Sequence, residues 1–260
     1  MRTPRNEVPK DQRILGVNFY TGDADGAIER IRSGGLLVVP AAPALKDIAS
    51  NPSYREAITN ADLAITDSAL MVLMWNRLEH DSIPRLSGLK YMRHLLLDPE
   101  VRKPGNTLWV MAGQASAAKN LDWLSLQDIS VPQSCIHNAP IYREHIEDDL
   151  LLEKLRSFPV KHVVITVGGG TQERLGLYIK RNLEYLPAIH CIGAAIAFLS
   201  GDQVRIPAWA DGLYLGWLFR CIAAPTRYVP RYWSAIKLLP LMWRYRDKLP
   251  PFMPPSLTAK

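Results

Sequence analysis

Cysteine is scarce in this 260-residue chain. There are three, Cys135, Cys191 and Cys221, odd in number, scattered and each set in an apolar stretch. That excludes a disulfide frame and points to buried thiols in a reducing compartment. The six histidines show neither H-x-x-x-H nor H-x-H spacing, so no metal site is expected. There is no uncharged apolar stretch of about 18 residues, the length a spanning helix needs. The opening "MRTPRNEVPKDQR" leads into no signal-like apolar run, and a cytosolic protein is expected. A complete G-x-G-x-x-G fingerprint and a Walker lysine are missing too, which argues against a nicotinamide dehydrogenase and a P-loop.

What is present reads as globular, with 48% hydrophobic and 22% charged residues. The net charge of +6 is unevenly placed. Residues 204–260 hold nine Lys/Arg against two acids, Asp211 and Asp247, while residues 1–203 are close to neutral. The same last fifth carries four of the seven tryptophans, Trp209, Trp217, Trp233 and Trp243.

Short apolar runs alternate with amphipathic segments over the first 200 residues. The predicted strands are 35–40, 62–66, 107–112, 134–138, 162–167 and 188–193, with helices in most of the gaps. Continuous apolar strands alternating with helices predict an α/β, Rossmann-like fold. Its mostly parallel sheet should be covered on both faces and bind ligands beyond the carboxyl ends of its strands. After Gly201 the alternation stops and frequent proline breaks the chain into short helices. The expected organisation is a flexible tail (1–13), an α/β core (14–203), a basic, aromatic helical appendage (204–249) and a disordered end (250–260).

Several residues stand where such a sheet places chemistry. Asp67 joins the end of a strand to the start of a helix, as an N-cap or as a group aimed at substrate. Arg85 precedes a helix beginning near Ser87, as a phosphate clamp or a surface ion pair. Gly168, Gly169 and Gly170 lie between a strand and a helix, where backbone amides can approach a phosphate. Gln172 and Glu173 follow, to bind sugar hydroxyls or to cap the helix. Gly193, with Ala194 and Ala195, permits close packing or room for a flat ring. The basic tail suits nucleic acid, an anionic membrane surface or self-association into a homo-oligomer. Its interleaved aliphatics ("AIKLLPLMWRYR") disfavour nucleic acid and favour the membrane.

In order along residues 35 to 235, these segments resemble the WecG/TagA/CpsF glycosyltransferases (glycosyltransferase family 26). "NPSYREAITNADLAITDSALMVLMW", "PRLSGLKYM", "WVMAGQASAAKNL", "VGGGTQERLGLYIKRN" and "IGAAIAFLSGDQVRIPAWADGLYLGWLFRCIAAPTRYVPRY" carry the likeness. The resemblance implies a bacterial hexosyltransferase at the inner face of the plasma membrane. It would move a sugar from a UDP-sugar to a glycan on undecaprenyl diphosphate, with inversion and with no cofactor or bound metal. Members build cell-surface polysaccharides. By the same resemblance Asp67 is the catalytic base, and Arg85, Gly113, Gln172 and the loop glycines bind substrate. Arg205, Arg220, Arg227 and Arg231 meet diphosphate or membrane. The alternative implied is a non-catalytic sugar-nucleotide or lipid-binding relative. The family's polar Thr-x-Asn falls on Val39 and Ala41, its Gly after the acid on Ser68, and its Pro-Lys before Gln172 on Gly170 and Thr171. Further along, the Asp of its "aFdF" falls on Ala197 and two tail glutamates on Gly216 and Ala224.

Overall fold

A computed structural model describes residues 11–143 and 145–253; the last seven residues of the segment expected to be disordered, and the first ten of the expected N-terminal tail, lie outside the described residues. The chain opens with a hairpin, β1 (Gln12–Ile14) and β2 (Val17–Tyr20), whose turn residues Leu15 and Gly16 have φ of 49° and 80°. Positive φ at both central positions is what a type I′ hairpin turn requires. Helix α1 (Ala24–Ile31) is capped by Asp23, whose carboxylate accepts the Gly26 N–H. Then come β3 (Gly35–Val38), α2 (Ala42–Leu45), α3 (Pro52–Thr59), β4 (Leu63–Ile65), α4 (Ala69–Glu79), α5 (Gly88–Leu95) and α6 (Pro99–Arg102). The second half runs β5 (Thr107–Met111), α7 (Gln114–Leu126), β6 (Ile136–Asn138), α8 (Asp149–Ser157), β7 (His162–Ile165), α9 (Thr171–Asn182), β8 (Ala188–Cys191) and α10 (Ala195–Ser200). The tail forms α11 (Ala208–Gly212), α12 (Gly216–Ala223), α13 (Pro225–Ala235) and α14 (Leu238–Tyr245).

All six strands expected from the apolar runs are present, and the fold is the α/β, mostly parallel sheet they imply. Strand order is β1-β2-β4-β3-β8-β7-β5-β6, parallel except for the β1–β2 hairpin. Crossovers that step toward the β1 edge put α3, α8 and α9 into one apolar layer, with Tyr54, Leu151 and Leu175 among its members. Those that step the other way put α1 and α7 into the opposite layer, with Ile28 and Leu124. Segregation by direction is what a uniform crossover hand produces. The long β4→β5 connection uses both faces: Met71 and Trp75 of α4 join the first layer, Tyr91 and Met92 of α5 the second.

The tail begins as a satellite and ends inside the body. Ile206 and Ala210 pack with Leu89 and Phe198 in a small cluster of their own. Ala235, Leu238 and Met242 belong instead to the main apolar layer. Beyond α14 the chain is pinned to the hairpin turn, where Leu15 and Gly16 donate backbone hydrogen bonds to the Arg246 and Asp247 carbonyls at 2.7 and 3.0 Å. Arg55 Nη1 donates to the Pro250 carbonyl at 2.6 Å, and Met253 donates to the Ala49 carbonyl at 2.7 Å. Residues 250–253, expected within a disordered end, are therefore held against α3 and the turn preceding it.

Candidate active site

Loops at the carboxyl ends of five neighbouring strands bring the expected residues onto one edge. In sheet order they are Asp67 after β4, Val39 after β3, Gly193 after β8, Gly168–Gly170 after β7 and Gly113 after β5. A mostly parallel sheet binds its ligands there, because loop amides and helix N-termini converge at that edge.

Asp67 is not the N-cap of the helix that follows. Ser68 takes that role, its hydroxyl accepting the Met71 N–H. One residue earlier, the Asp67 carboxylate is turned across the edge toward α5. Its Oδ1 accepts the Gly88 N–H at 2.9 Å and lies 3.6 Å from Arg85 Nη2. Oδ2 receives no hydrogen bond among the described residues, and the side chain is 23% exposed. The wall beside it is apolar: a Cβ on Gly88 would lie 3.0 Å from Val39 Cγ1 and 3.8 Å from Asp67 Oδ1. Val39 thus puts a hydrocarbon where the resemblance gives a hydroxyl.

Arg85 is largely committed to the protein. Its Nε donates to the Asp67 carbonyl at 2.6 Å, and Nη1 donates to the Asp211 carbonyl and Oδ1 at 2.8 and 3.1 Å. The guanidinium also lies 5.4 Å from the Tyr214 ring centroid. Ser87 donates its hydroxyl to the other Asp211 oxygen. Arg85 therefore ties the Asp67 loop to α11, which leaves little of it for a phosphate. Asp211 is a partner of Arg85 and Ser87 that motif reading passed over. The signal was available, since it is one of only two acids among nine bases in the last fifth.

The glycine loop is shaped from within. Gly170 has φ of 92° and its N–H donates to Glu173 Oε2 at 2.7 Å, while Gln172 Nε2 donates to Glu173 Oε1 at 3.2 Å. Glu173 is fully buried, and burial pushes its carboxyl pKa up. Its place is to hold the loop, as a cap does. Cβ atoms built on Gly168 and Gly170 would meet nothing within 4 Å, so the loop backbone is open. Gln172 is buried against Gly193, and its Oε1 has no hydrogen-bond partner among the described residues. Gly113 begins α7 with open space around it.

The tail arginines divide. Arg231 of α13 faces the loop, its Nη2 3.7 Å from where a Gly169 Cβ would lie. Arg220 donates to the Tyr232 hydroxyl at 2.9 Å and stacks 4.3 Å over Phe198. Burial raises the Tyr232 pKa, Arg220 and Arg231 oppose the rise, and the Asp67 charge adds to it. Tyr232, bonded to Arg220, is a second residue that sequence reading missed. Arg205 is exposed beside Gly201, and Arg227 is exposed over the Tyr228 ring. Neither joins the others at the edge. Between α2, α3, the glycine loop and Arg231 opens a polar cavity of about 270 Å³, and Asp67 and Arg85 do not line it.

No helix among the described residues is long and apolar enough to cross a membrane. Comparison with curated proteins returned no match. The model of the glycosyl transferase WecG/TagA/CpsF family matches residues 12–251, from the opening hairpin through the pinned end of the tail. With an acid, a glycine loop and a cationic tail assembled on one sheet edge, the chain belongs to the WecG/TagA/CpsF family of glycosyltransferases, enzymes of cell-surface polysaccharide synthesis.

Proposed function

We propose that the protein is an inverting hexosyltransferase that needs no bound metal, moves a sugar from a UDP-sugar to a glycan carried on undecaprenyl diphosphate, and works at the inner face of the plasma membrane. The observation that carries this reading is the Asp67 carboxylate. One oxygen is fixed by the Gly88 amide and the other is left without a partner among the described residues at the ligand edge. Such a group can take the proton of an incoming hydroxyl as its oxygen attacks the anomeric carbon from the face opposite UDP. The C–O bond to UDP breaks with its electron pair, so charge grows on the departing diphosphate. Preorganised amides and cations stabilise that charge. The open Gly168–Gly170 backbone and the facing Arg231 are the groups placed for it. Arg85 acts one step back, fixing the backbone that carries the base.

The outer side of the tail supports attachment to a lipid surface. Trp209, Ile222, Trp233 and Trp243 are exposed on the tail segment, which also exposes Arg227, Lys237 and Arg244. Apolar and aromatic groups bury at the headgroup boundary, and each nearby cation adds about 1 kcal/mol on an anionic leaflet. The test is transfer itself: purified protein, a panel of UDP-sugars and a polyprenyl-diphosphate-linked monosaccharide. One donor is expected to yield a disaccharide of inverted anomeric configuration. UDP release from none of them, or a product of retained configuration, would overturn the proposal.

A further inference from the structure

The cavity beside the glycine loop is polar in an unusual way for a pure anion site. Its lining combines two cations, Arg174 and Arg231, and the Gly169–Gly170 backbone with Asp47, Asn51 and Tyr54. A bare phosphate is poorly served by a wall carrying a carboxylate. A ring bearing adjacent hydroxyls needs acceptors and donors together, which this wall supplies.

Tyr54 gives the independent sign of a missing partner. It is 1% exposed, lies in the cavity wall, and its hydroxyl has no hydrogen-bond partner among the described residues. Buried hydroxyls are almost always satisfied, so an orphan at a cavity wall marks a place where something else completes it. The neighbours are similarly half-used. Asn51 spends Oδ1 on the Tyr54 N–H at 3.0 Å and on the Ser53 hydroxyl at 3.1 Å, leaving its amide N–H groups unengaged among the described residues. Asp47 holds Lys46 through Oδ1 at 2.5 Å, and its Oδ2 accepts nothing among the described residues.

Resting on the glycosyltransferase reading above, we infer that this cavity is a saccharide subsite: it holds one hexose-sized, hydroxyl-rich unit whose attached phosphate lies toward the glycine loop and Arg231, with Asp47, Asn51 and Tyr54 reading its hydroxyls. Arg231 of α13 joins the cavity to the glycine loop, its Nη2 3.7 Å from where a Gly169 Cβ would lie, so a phosphate on the bound sugar meets the loop that follows β7 at the same sheet edge as Asp67. The sugar belongs either to the donor or to the acceptor, and the kinetic arm below separates them.

The test uses the full chain and two substitutions, Tyr54→Phe and Asp47→Asn. Saturation-transfer NMR with free hexoses and N-acetylhexosamines is expected to show saturable binding of at least one of them to the wild type. Each substitution should weaken it several-fold, the worth of one hydrogen bond. Because Tyr54→Phe removes an unsatisfied buried hydroxyl, its thermal midpoint should hold or rise while sugar affinity falls. A merely structural tyrosine would not separate the two. In transfer assays the same substitutions should raise KM for one substrate only, and which substrate names the source of the sugar. Calorimetric UDP affinity should stay unchanged. Absence of monosaccharide binding at tens of millimolar, or variants that bind as the wild type does, would overturn the subsite while leaving UDP binding and transfer as separate evidence for the reaction. Displacement of the sugar by inorganic pyrophosphate, with pyrophosphate binding tightened by Asp47→Asn, would overturn it in favour of an anion site.

Discussion

Replacing Arg85 and Asp211 by alanine, singly and together, tests whether the tail is clipped to the loop that carries the base. Both side chains are 14% exposed and are joined at 3.1 Å, with a further bond at 2.8 Å to the Asp211 carbonyl. Hydrogen bonds to charged groups contribute about 1.5–3 kcal/mol net each. Removing one partner of a fully buried pair costs about 3–5 kcal/mol, and residual exposure reduces that toward the surface-pair range of about 0–1. The carbonyl bond survives truncation of Asp211, so the side-chain coupling should be about 1–2 kcal/mol. Arg85→Ala alone should lose more, because it also frees the Asp67 carbonyl. The assay is urea unfolding of the four proteins, paired with fluorescence of Trp209, which α11 carries. A coupling below about 0.5 kcal/mol would refute the clip and return Arg85 to a ligand-binding role. Activity sharpens the distinction. A clip predicts that Arg85→Lys lowers kcat with little change in the UDP-sugar KM, whereas a phosphate clamp predicts a rise in KM.

Three further outcomes follow from the geometry. Tyr91, His190 and His162 form a buried chain, with the Tyr91 hydroxyl 2.8 Å from His190 Nδ1 and His190 Nε2 3.1 Å from His162 Nδ1. Burial pushes both imidazole pKa values below their usual 6.5, so the fold refuses protons that the unfolded chain accepts. Stability from this pair is therefore full above pH 6.5 and lost as pH falls below it; a urea midpoint unchanged from neutral pH down to 5.5 would contradict this. Gly176→Ala should destabilise the fold by about 1–3 kcal/mol despite the better helix propensity of alanine. Its Cβ would come within 2.5 Å of Leu36 Cδ1 and 2.7 Å of Cys191 Sγ, and an unchanged melting temperature would show that α9 can lift off the sheet freely. Exposed Trp233 and Trp243 changed to glutamate should release the protein from anionic vesicles without altering its melting temperature, and undiminished co-sedimentation would remove the lipid-facing role. Deleting the tail would be a poorer test, since Leu238 and Met242 belong to the main apolar layer.

Much of the fold was legible because buried parallel strands are written as continuous apolar runs. "HVVITV" and "TLWVMA" admit few other readings between amphipathic segments. The opening hairpin was not legible. Its strands are three and four residues long, and its turn uses Leu15 at φ 49° rather than Asn or Asp. That conformation is held by tertiary contacts, namely full burial of Leu15 and its N–H bond to Arg246, 231 residues later in the chain. A local pattern cannot report such support. The site divides in the same way. Asp67 and the glycine loop were visible because strand ends leading into helices can be located from sequence. The surroundings of Asp67 were not, since Gly88 reaches it, and Asp211 reaches its partner Arg85, only through folding of distant segments. Glu173, read from its position as a contact for sugar hydroxyls or as a helix cap, turns inward because the loop needs an acceptor for the Gly170 N–H.

The most direct test is Asp67→Asn, which keeps the shape of the side chain and an oxygen for the Gly88 N–H but cannot accept a proton at working pH. The account predicts that this variant folds and binds UDP as the wild type does, while transfer to a lipid-linked acceptor falls by at least about a hundredfold, the usual contribution of a general base. Turnover within a few-fold of wild type would contradict it.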